Sequence, residues 1–285
     1  MPVEIKTLSK RDVDQYMELL RLGFGEELAQ RGTDVARVER MTRVLLSCGG
    51  LPLRLIKAIT GRGLFVLAAK DGHHVAGVLT VAEGKTPGLI GVYVREAYRG
   101  QGIALNLVQA ALLRLKRRGY SQVHVSVIDH TAQLLAQRGG FVPCDHTDLY
   151  ERSLPARTFV PDGLFARRVR KVSLQRHPYD LGPLNLVTGV RVRRIVVHSG
   201  EEATVAGMLI ALPHQSMGEI QPQVLVPGRE DTFRALLDAG CEWFSQLGRA
   251  SIAVSLHDDT ASLASILTGE GFVKRRSWVE LKLDL

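Results

Sequence analysis

The stretch VREAYRGQGIALNLV, residues 94–108, joins two different periodicities through a glycine-rich turn. Before it, GLIGVYV (88–94) is a short β-branched run, which predicts a strand. After it, apolar residues fall at 103, 107, 108, 111, 112 and 115, which is helical spacing. Between them stand Arg99, Gly100 and Gly102. A strand, a glycine loop and a helix start in this order form an anion cradle. Glycines let backbone N–H groups turn inward, and the helix N-terminus adds its partial positive charge.

Working outward, the chain contains a repeat. FVLAAKDGHHVAGVLTVAEGKTPGLIGVYV (65–94) is answered by RIVVHSGEEATVAGMLIALPHQSMGEIQPQVLV (194–226). Both are strand, tight turn, strand with a shared VAG, polar hairpin and strand. YSQVHVSVIDHTAQLLAQRGGFV is likewise answered by RASIAVSLHDDTASLASILTGEGFV. Val94 to Phe141 is 47 positions and Val226 to Phe272 is 46, so two copies of one α/β unit with a mixed sheet are predicted. The front of the first copy adds a strand and two helices, within 1–62, for which the second copy shows no counterpart. The predicted domains are 1–154 and 190–285, joined by a linker over 155–189.

Composition narrows the class. The chain has 285 residues, 45% hydrophobic and 23% charged, with no apolar run long enough to span a membrane. Its start, MPVEIKTLSKRDVDQ, has no apolar signal core, so a cytoplasmic location is expected. Cys48, Cys144 and Cys241 lie far apart and suggest neither a disulfide framework nor a zinc site. The net charge of +8 is concentrated: Pro155 to Arg194 holds nine Arg or Lys against two acids, a balance of +7. Such a block is either a solvated connector or a face for phosphates.

Arg99-Gly100-Gln101-Gly102-Ile103-Ala104, with hairpin strands before it and a long helix after it, resembles the acyl-CoA loop of the GNAT acetyltransferase superfamily. The resemblance covers 1–154 as a whole domain and recurs more weakly from about 190 to the end. It implies two tandem GNAT-like domains, with acetyl-CoA as cosubstrate and a small-molecule or peptide amine as acceptor. It also implies that the N–H groups of Gln101 to Ala104 bind the pyrophosphate with Arg99 as the cation. Gly100 and Gly102 permit close approach, and the backbone of Val92 and Val94 meets the pantetheine arm. In the second copy the corresponding segment, PGREDTFRALL, keeps only Gly228 and places Glu230 and Asp231 where donors belong. That copy is expected to be degenerate.

Many members of the family carry a carboxylate or histidine on the strand before the loop and a tyrosine five residues before the closing Phe. Here the strand has neither acid nor histidine, and the second position is Ala136. The substitutes are Glu83 as base and Tyr93 or Tyr150 as acid. His124 and Ser126 share one face of their strand and are candidates to hold a water. His73 and His74 are expected at an exposed turn, Glu96 on the surface, and Cys144 with His146 lacks further metal ligands. Without a base on strand 88–94, an α-amine of pKa about 8 is easier to serve than a lysine-like amine of about 10.4. Two other readings stay open: a non-catalytic acyl-CoA sensor, and an acyltransferase drawn to RNA or a nucleic-acid-bound protein by the basic segment. No membrane partner is expected, and the oligomeric state is not readable from the sequence.

Overall fold

The computed structural model describes residues 3–30, 36, 39–40, 42–44, 63–154, 166–169, 191–199, 202–212, 215–223 and 230–285. The chain divides into two compact units. The first comprises Met1–Gln30, Asp34–Asp145 and Trp278–Leu285, and the second holds His146–Ser277.

In the first unit, β1 (Glu4–Thr7) is followed by α1 (Val13–Gln30), β2 (Gly63–Asp71), β3 (His74–Glu83) and β4 (Gly88–Val94). Then come α2 (Ile103–Arg117), β5 (Gln122–Val127) and α3 (His130–Arg138). The sheet order is β1-β2-β3-β4-β5, antiparallel except for β4 and β5, which run parallel. Gly72, at φ +57°, makes the β2–β3 turn, where His73 and His74 stand exposed. Asp129 caps α3 by accepting the Ala132 N–H at 2.7 Å. That helix ends where Phe141 N–H returns to the Ala136 carbonyl.

Alternation sorts the strand side chains to two faces. Val66, Ala68, Val75 and Val78 pack with Val13, Tyr16, Met17 and Leu19 of α1. Phe65, Leu67, Leu79 and Val81 pack on the other face with Ile103, Leu107, Val108, Ala111 and Leu115 of α2. These five are the buried residues of α2, in agreement with the apolar spacing in the sequence. Arg114, Lys116 and Arg117 occupy its last turn, where the helix dipole favours cations.

The strand after Phe141, β6 (Val142–Ser153), does not close the first unit from Thr147 onward. The closing strand is the carboxy-terminal part of β12 (Val273–Asp284), in antiparallel register with β5: Val279 opposite Val127, Leu281 opposite Val125 and Leu283 opposite Val123. Leu281 is fully buried there.

The second unit contains β7 (Ala166–Val169), β8 (Arg191–Ser199), β9 (Glu202–Ala211), β10 (Met217–Pro222), α4 (Glu230–Gln246), β11 (Ser251–His257) and α5 (Ala264–Gly269). Its strand order is β6-β11-β10-β9-β8-β7, with β10 and β11 parallel and the other pairs antiparallel. Phe233, Leu236 and Phe244 of α4 are fully buried against Ile195, Leu209, Ile220, Ile252 and Val254. Gly218 is required for this packing, because a Cβ there would come within 2.3 Å of the Phe244 ring.

These pairings correct the predicted boundaries at two places. Residues 146–154 belong with the second unit because β6 pairs with β11, Ser153 opposite Ser251 through Thr147 opposite His257. Residues 278–285 belong with the first. In addition, 155–189 is not wholly a linker: Ala166–Val169 is a strand paired with β8, as β1 is with β2. The second copy therefore does have a leading strand. The rest of that basic segment up to Val190 lies outside the described residues.

Candidate functional site

The geometry of the cradle begins with a defect in β4. Thr80 of β3 pairs with Gly91 and Val81 with Leu89, so Ile90 is an extra residue, 60% exposed. Such a bulge bends its strand. On the other side, β4 pairs with β5 only at Gly88–His124 and Leu89–Val125. Beyond the bulge the two parallel strands part, and β4 has a free backbone edge. Arg95 N–H donates to Ala76 of β3 at 2.8 Å. By alternation Tyr93 faces β3, whereas Val92 and Val94 turn their backbone groups toward the gap. Val94 C=O accepts from Arg99 Nε at 3.2 Å.

The loop that follows carries Gly100 at φ +76° and Gly102 at φ +75°, left-handed conformations that glycine adopts without strain. Gly102 is the N-cap of α2 with no side-chain cap. A Cβ at either glycine would meet nothing within 4 Å, so a ligand has room to approach the backbone. The first-turn N–H groups of α2 therefore stand beside the gap at the end of β4. Gln101 and Arg99 are exposed, and Ile103 anchors the helix start in the core. Ala104, half-buried, packs against the same core. Arg99 also lies 5.7 Å from the Tyr93 ring. These residues fit an extended anionic ligand whose diphosphate sits on the helix start.

On the face away from α2, β4 is shaved to accept α1. A Cβ on Gly91 would lie 2.5 Å from the Phe24 ring, and one on Gly23 would lie 2.5 Å from the Tyr93 ring. Arg95 ties the end of β4 to α1 through a bidentate pair with Glu18 at 2.9 and 2.7 Å. The Glu18 carboxylate holds the Arg95 pKa above its ordinary value, and Arg95 lowers that of Glu18.

The substitute catalytic residues fare differently. Glu83 is no solvent-facing hairpin residue: its side chain is 3% exposed and ion-paired with Arg118 beyond the end of α2. The pair lies at the end of α2 remote from the glycine loop. Tyr93 lies partly buried on the α1 face of β4, beside the gap. Tyr150 is 7% exposed and packs in the core of the second unit, which removes it from the candidate acids. Its register partner is Val254 of β11. Ala136 is the buried residue of α3 and leaves that family position empty.

One group was not singled out from the sequence. Glu280 of β12 lies opposite Ser126 of β5, on the face away from α2. Ser126 Oγ sits 2.8 and 2.9 Å from the two Glu280 carboxylate oxygens, and Trp278 Nε1 donates to Oε1 at 2.8 Å. The Cys144 thiol donates to the Glu280 carbonyl at 3.4 Å; burial, then the Glu280 charge, push its pKa up. His124 instead bonds Gln122 at 3.1 Å. Only the alternation of β12 could have signalled Glu280, and its partner strand lies some 154 residues earlier.

The fold, with a glycine loop between a parting strand and a helix start, can be compared with known proteins. Residues 50–141 match the model of the Acetyltransferase (GNAT) family. That match spans part of the first unit, and the fold of the chain is similar to that of solved tandem GNAT structures. A tandem GNAT protein from the clavulanic acid biosynthesis pathway is 13% identical with a TM-score of 0.63, covering 99% of this chain and 98% of that one. A GCN5-related N-acetyltransferase from Sphaerobacter thermophilus is 15% identical with a TM-score of 0.63, covering 99% and 95%. A glucosamine N-acetyltransferase region of a fungal multi-domain β-N-acetylglucosaminidase is 14% identical with a TM-score of 0.64, covering 99% of this chain and 38% of that one. At these identities the likeness is one of fold. No curated protein sequence matches the chain. Among the described residues, no helix is long and apolar enough to cross a membrane.

Proposed function

We propose that the protein transfers an acetyl group from acetyl-CoA to an amine, with the cosubstrate held by the first unit. The observation that carries this reading is the parting of β4 and β5 immediately after Leu89–Val125, beside the uncapped start of α2. The thioester supplies the activated acyl group. Gln101 to Ala104 offer N–H donors to its pyrophosphate, and Gly100 and Gly102 keep the approach open. Arg99 supplies a cation at the rim. Val92 and the Val94 N–H offer strand-like hydrogen bonds to the pantetheine amides in the gap. The acceptor amine enters on the α1 face, beside the exposed Ile90 at the bulge where the strands part. Tyr93, on the same face, is a candidate to protonate the departing thiolate.

The test is thiol release from acetyl-CoA with a panel of amines: a peptide N-terminus, an amino sugar and a blocked lysine. It is paired with Gly102→Glu, which sets a carboxylate where the pyrophosphate belongs. Binding of acetyl-CoA and thiol release should both vanish while the thermal transition stays cooperative. A Gly102→Glu protein that binds acetyl-CoA with wild-type affinity would overturn the placement of the cradle. Acetyl-CoA binding without thiol release from any amine would favour a sensor instead.

A further inference from the structure

We propose that the acceptor's proton leaves through Ser126 to Glu280, so that the base of the first unit is supplied by the carboxy-terminal strand of the chain. This rests on the acyl-transfer reading and goes beyond it by naming the base.

Three observations converge on the pair. First, β4 lacks any carboxylate or histidine, and Glu83 is committed to Arg118, so a base must come from another element. Second, Ser126 directly follows Val125, the last β5 residue paired with β4, and its side chain lies on the face away from α2. It therefore stands exposed at the point where the strands part. Third, its hydroxyl lies within hydrogen-bond distance of both Glu280 oxygens, and Trp278 Nε1 also donates to Oε1 and holds the carboxylate in place. Paired strands are spaced about 4.8 Å apart and β4 and β5 part at Ser126, so Glu280 is one strand beyond Ser126 and at least roughly 10 Å from the β4 backbone. That is too far for direct contact with an amine in the gap and right for transfer through the serine.

The step balances. One N–H proton of the acceptor's ammonium passes to Ser126 Oγ as the serine proton passes to a Glu280 oxygen, leaving a neutral amine and a protonated carboxyl that later returns its proton to water. The amine nitrogen then forms a bond to the acetyl carbon and the carbon–sulfur bond breaks; the second proton, lost by nitrogen as the amide forms, goes to the departing thiolate. The charged and titratable groups around the pair are His124 on β5, Lys282 opposite it on β12, and Cys144 and Asp145 on β6. Lys282, two residues from Glu280 on the same face, offsets its negative charge.

The experiment compares wild type, Glu280→Gln, Ser126→Ala and Ser126→Thr by acetyl-CoA calorimetry and by kcat from about pH 6 to 9. Positioned general bases contribute about 100- to 10,000-fold, so Glu280→Gln should lose at least about 100-fold in kcat. Its residual rate should climb close to tenfold per pH unit, because only amine already neutral in solution reacts, whereas the wild-type profile is flatter. Ser126→Ala should show the same steep slope, Ser126→Thr should restore much of the rate, and acetyl-CoA affinity should be unchanged in all three. A Glu280→Gln protein that retains wild-type kcat, or loses rate with an unaltered pH slope, overturns the assignment and leaves the pair as a strand lock. A wild-type protein that binds acetyl-CoA yet releases no thiol with any amine overturns the acyl-transfer reading and this one with it.

Discussion

The Glu83 carboxylate and the Arg118 guanidinium form an ion pair that closes the end of β3 against the residue following α2, with side chains 3% and 33% exposed. Arg118 and Arg114 both lie over the Phe65 ring, at 5.1 and 4.4 Å. The cluster is a clamp between sheet and helix, and the cradle lies at the other end of that helix.

Glu83→Gln should therefore act on stability. Removing one partner of a buried pair costs several kcal/mol, but Arg118 can turn part of its charge to water, which reduces the penalty to about 1–2 kcal/mol. For a protein of this size that is a fall in Tm of about 2–8 °C. The kcat and its pH slope should stay at wild-type values. A large kcat loss with unchanged Tm would return Glu83 to the list of bases.

Acid sensitivity is expected at the start of α1. Burial raises the pKa of Asp12, but the Lys70 ammonium at 2.8 Å and the Ser9 hydroxyl and N–H outweigh it and hold the carboxyl below 3.8. A depressed folded pKa contributes stability that is present above the unfolded value and lost as pH falls through the folded value. Asp12→Asn should thus lower the urea midpoint at about pH 7, and the gap from wild type should narrow as the pH drops below about 4. A gap that stays constant down to about pH 2.5 would show that the Asp12 charge contributes nothing.

The exchanged strands make the first unit depend on the end of the chain. Leu281 is fully buried in the core shared by β5 and α2. Leu281→Ala should cost about 2–5 kcal/mol, the range for a buried leucine truncation. Deleting 278–285 should abolish acetyl-CoA binding although no cradle residue is touched. A truncated chain that binds acetyl-CoA normally would show that β5 needs no partner on that side.

This dependence also marks the limit of what the sequence discloses. The repeat, the strand before Arg99, the left-handed glycines and the buried stripe of α2 are local patterns, and local chemistry imposes them. Which strand lies beside β5 is not local. DLYERSL and WVELKLD both alternate, both follow a Gly-Phe-Val turn, and either satisfies the same edge. Hence Tyr150 looked like a residue of the first site and lies in the other core, while Glu280, which no local pattern marks, lies opposite Ser126. Glu83 misled for a related reason, since its partner Arg118 is 35 residues away and nothing in the hairpin indicates it.

The last expectation concerns stoichiometry. In the second unit α4 opens on Glu230 and Asp231, both exposed, and Asp231 accepts a hydrogen bond from the Thr232 N–H at 2.9 Å. Acidic side chains in a first helical turn satisfy the same partial positive charge that α2 leaves open. A pyrophosphate brought there meets two negative charges, and like-charge juxtaposition costs several kcal/mol, roughly the whole of a millimolar affinity. The preceding residues 224–229 lie outside the described residues, but their sequence carries a single glycine where the first unit has two. Calorimetry should therefore titrate one acetyl-CoA per chain, and Gly102→Glu should remove it. Two equivalent sites in the wild type, of which Gly102→Glu removes only one, would show that the second helix start also binds the cosubstrate.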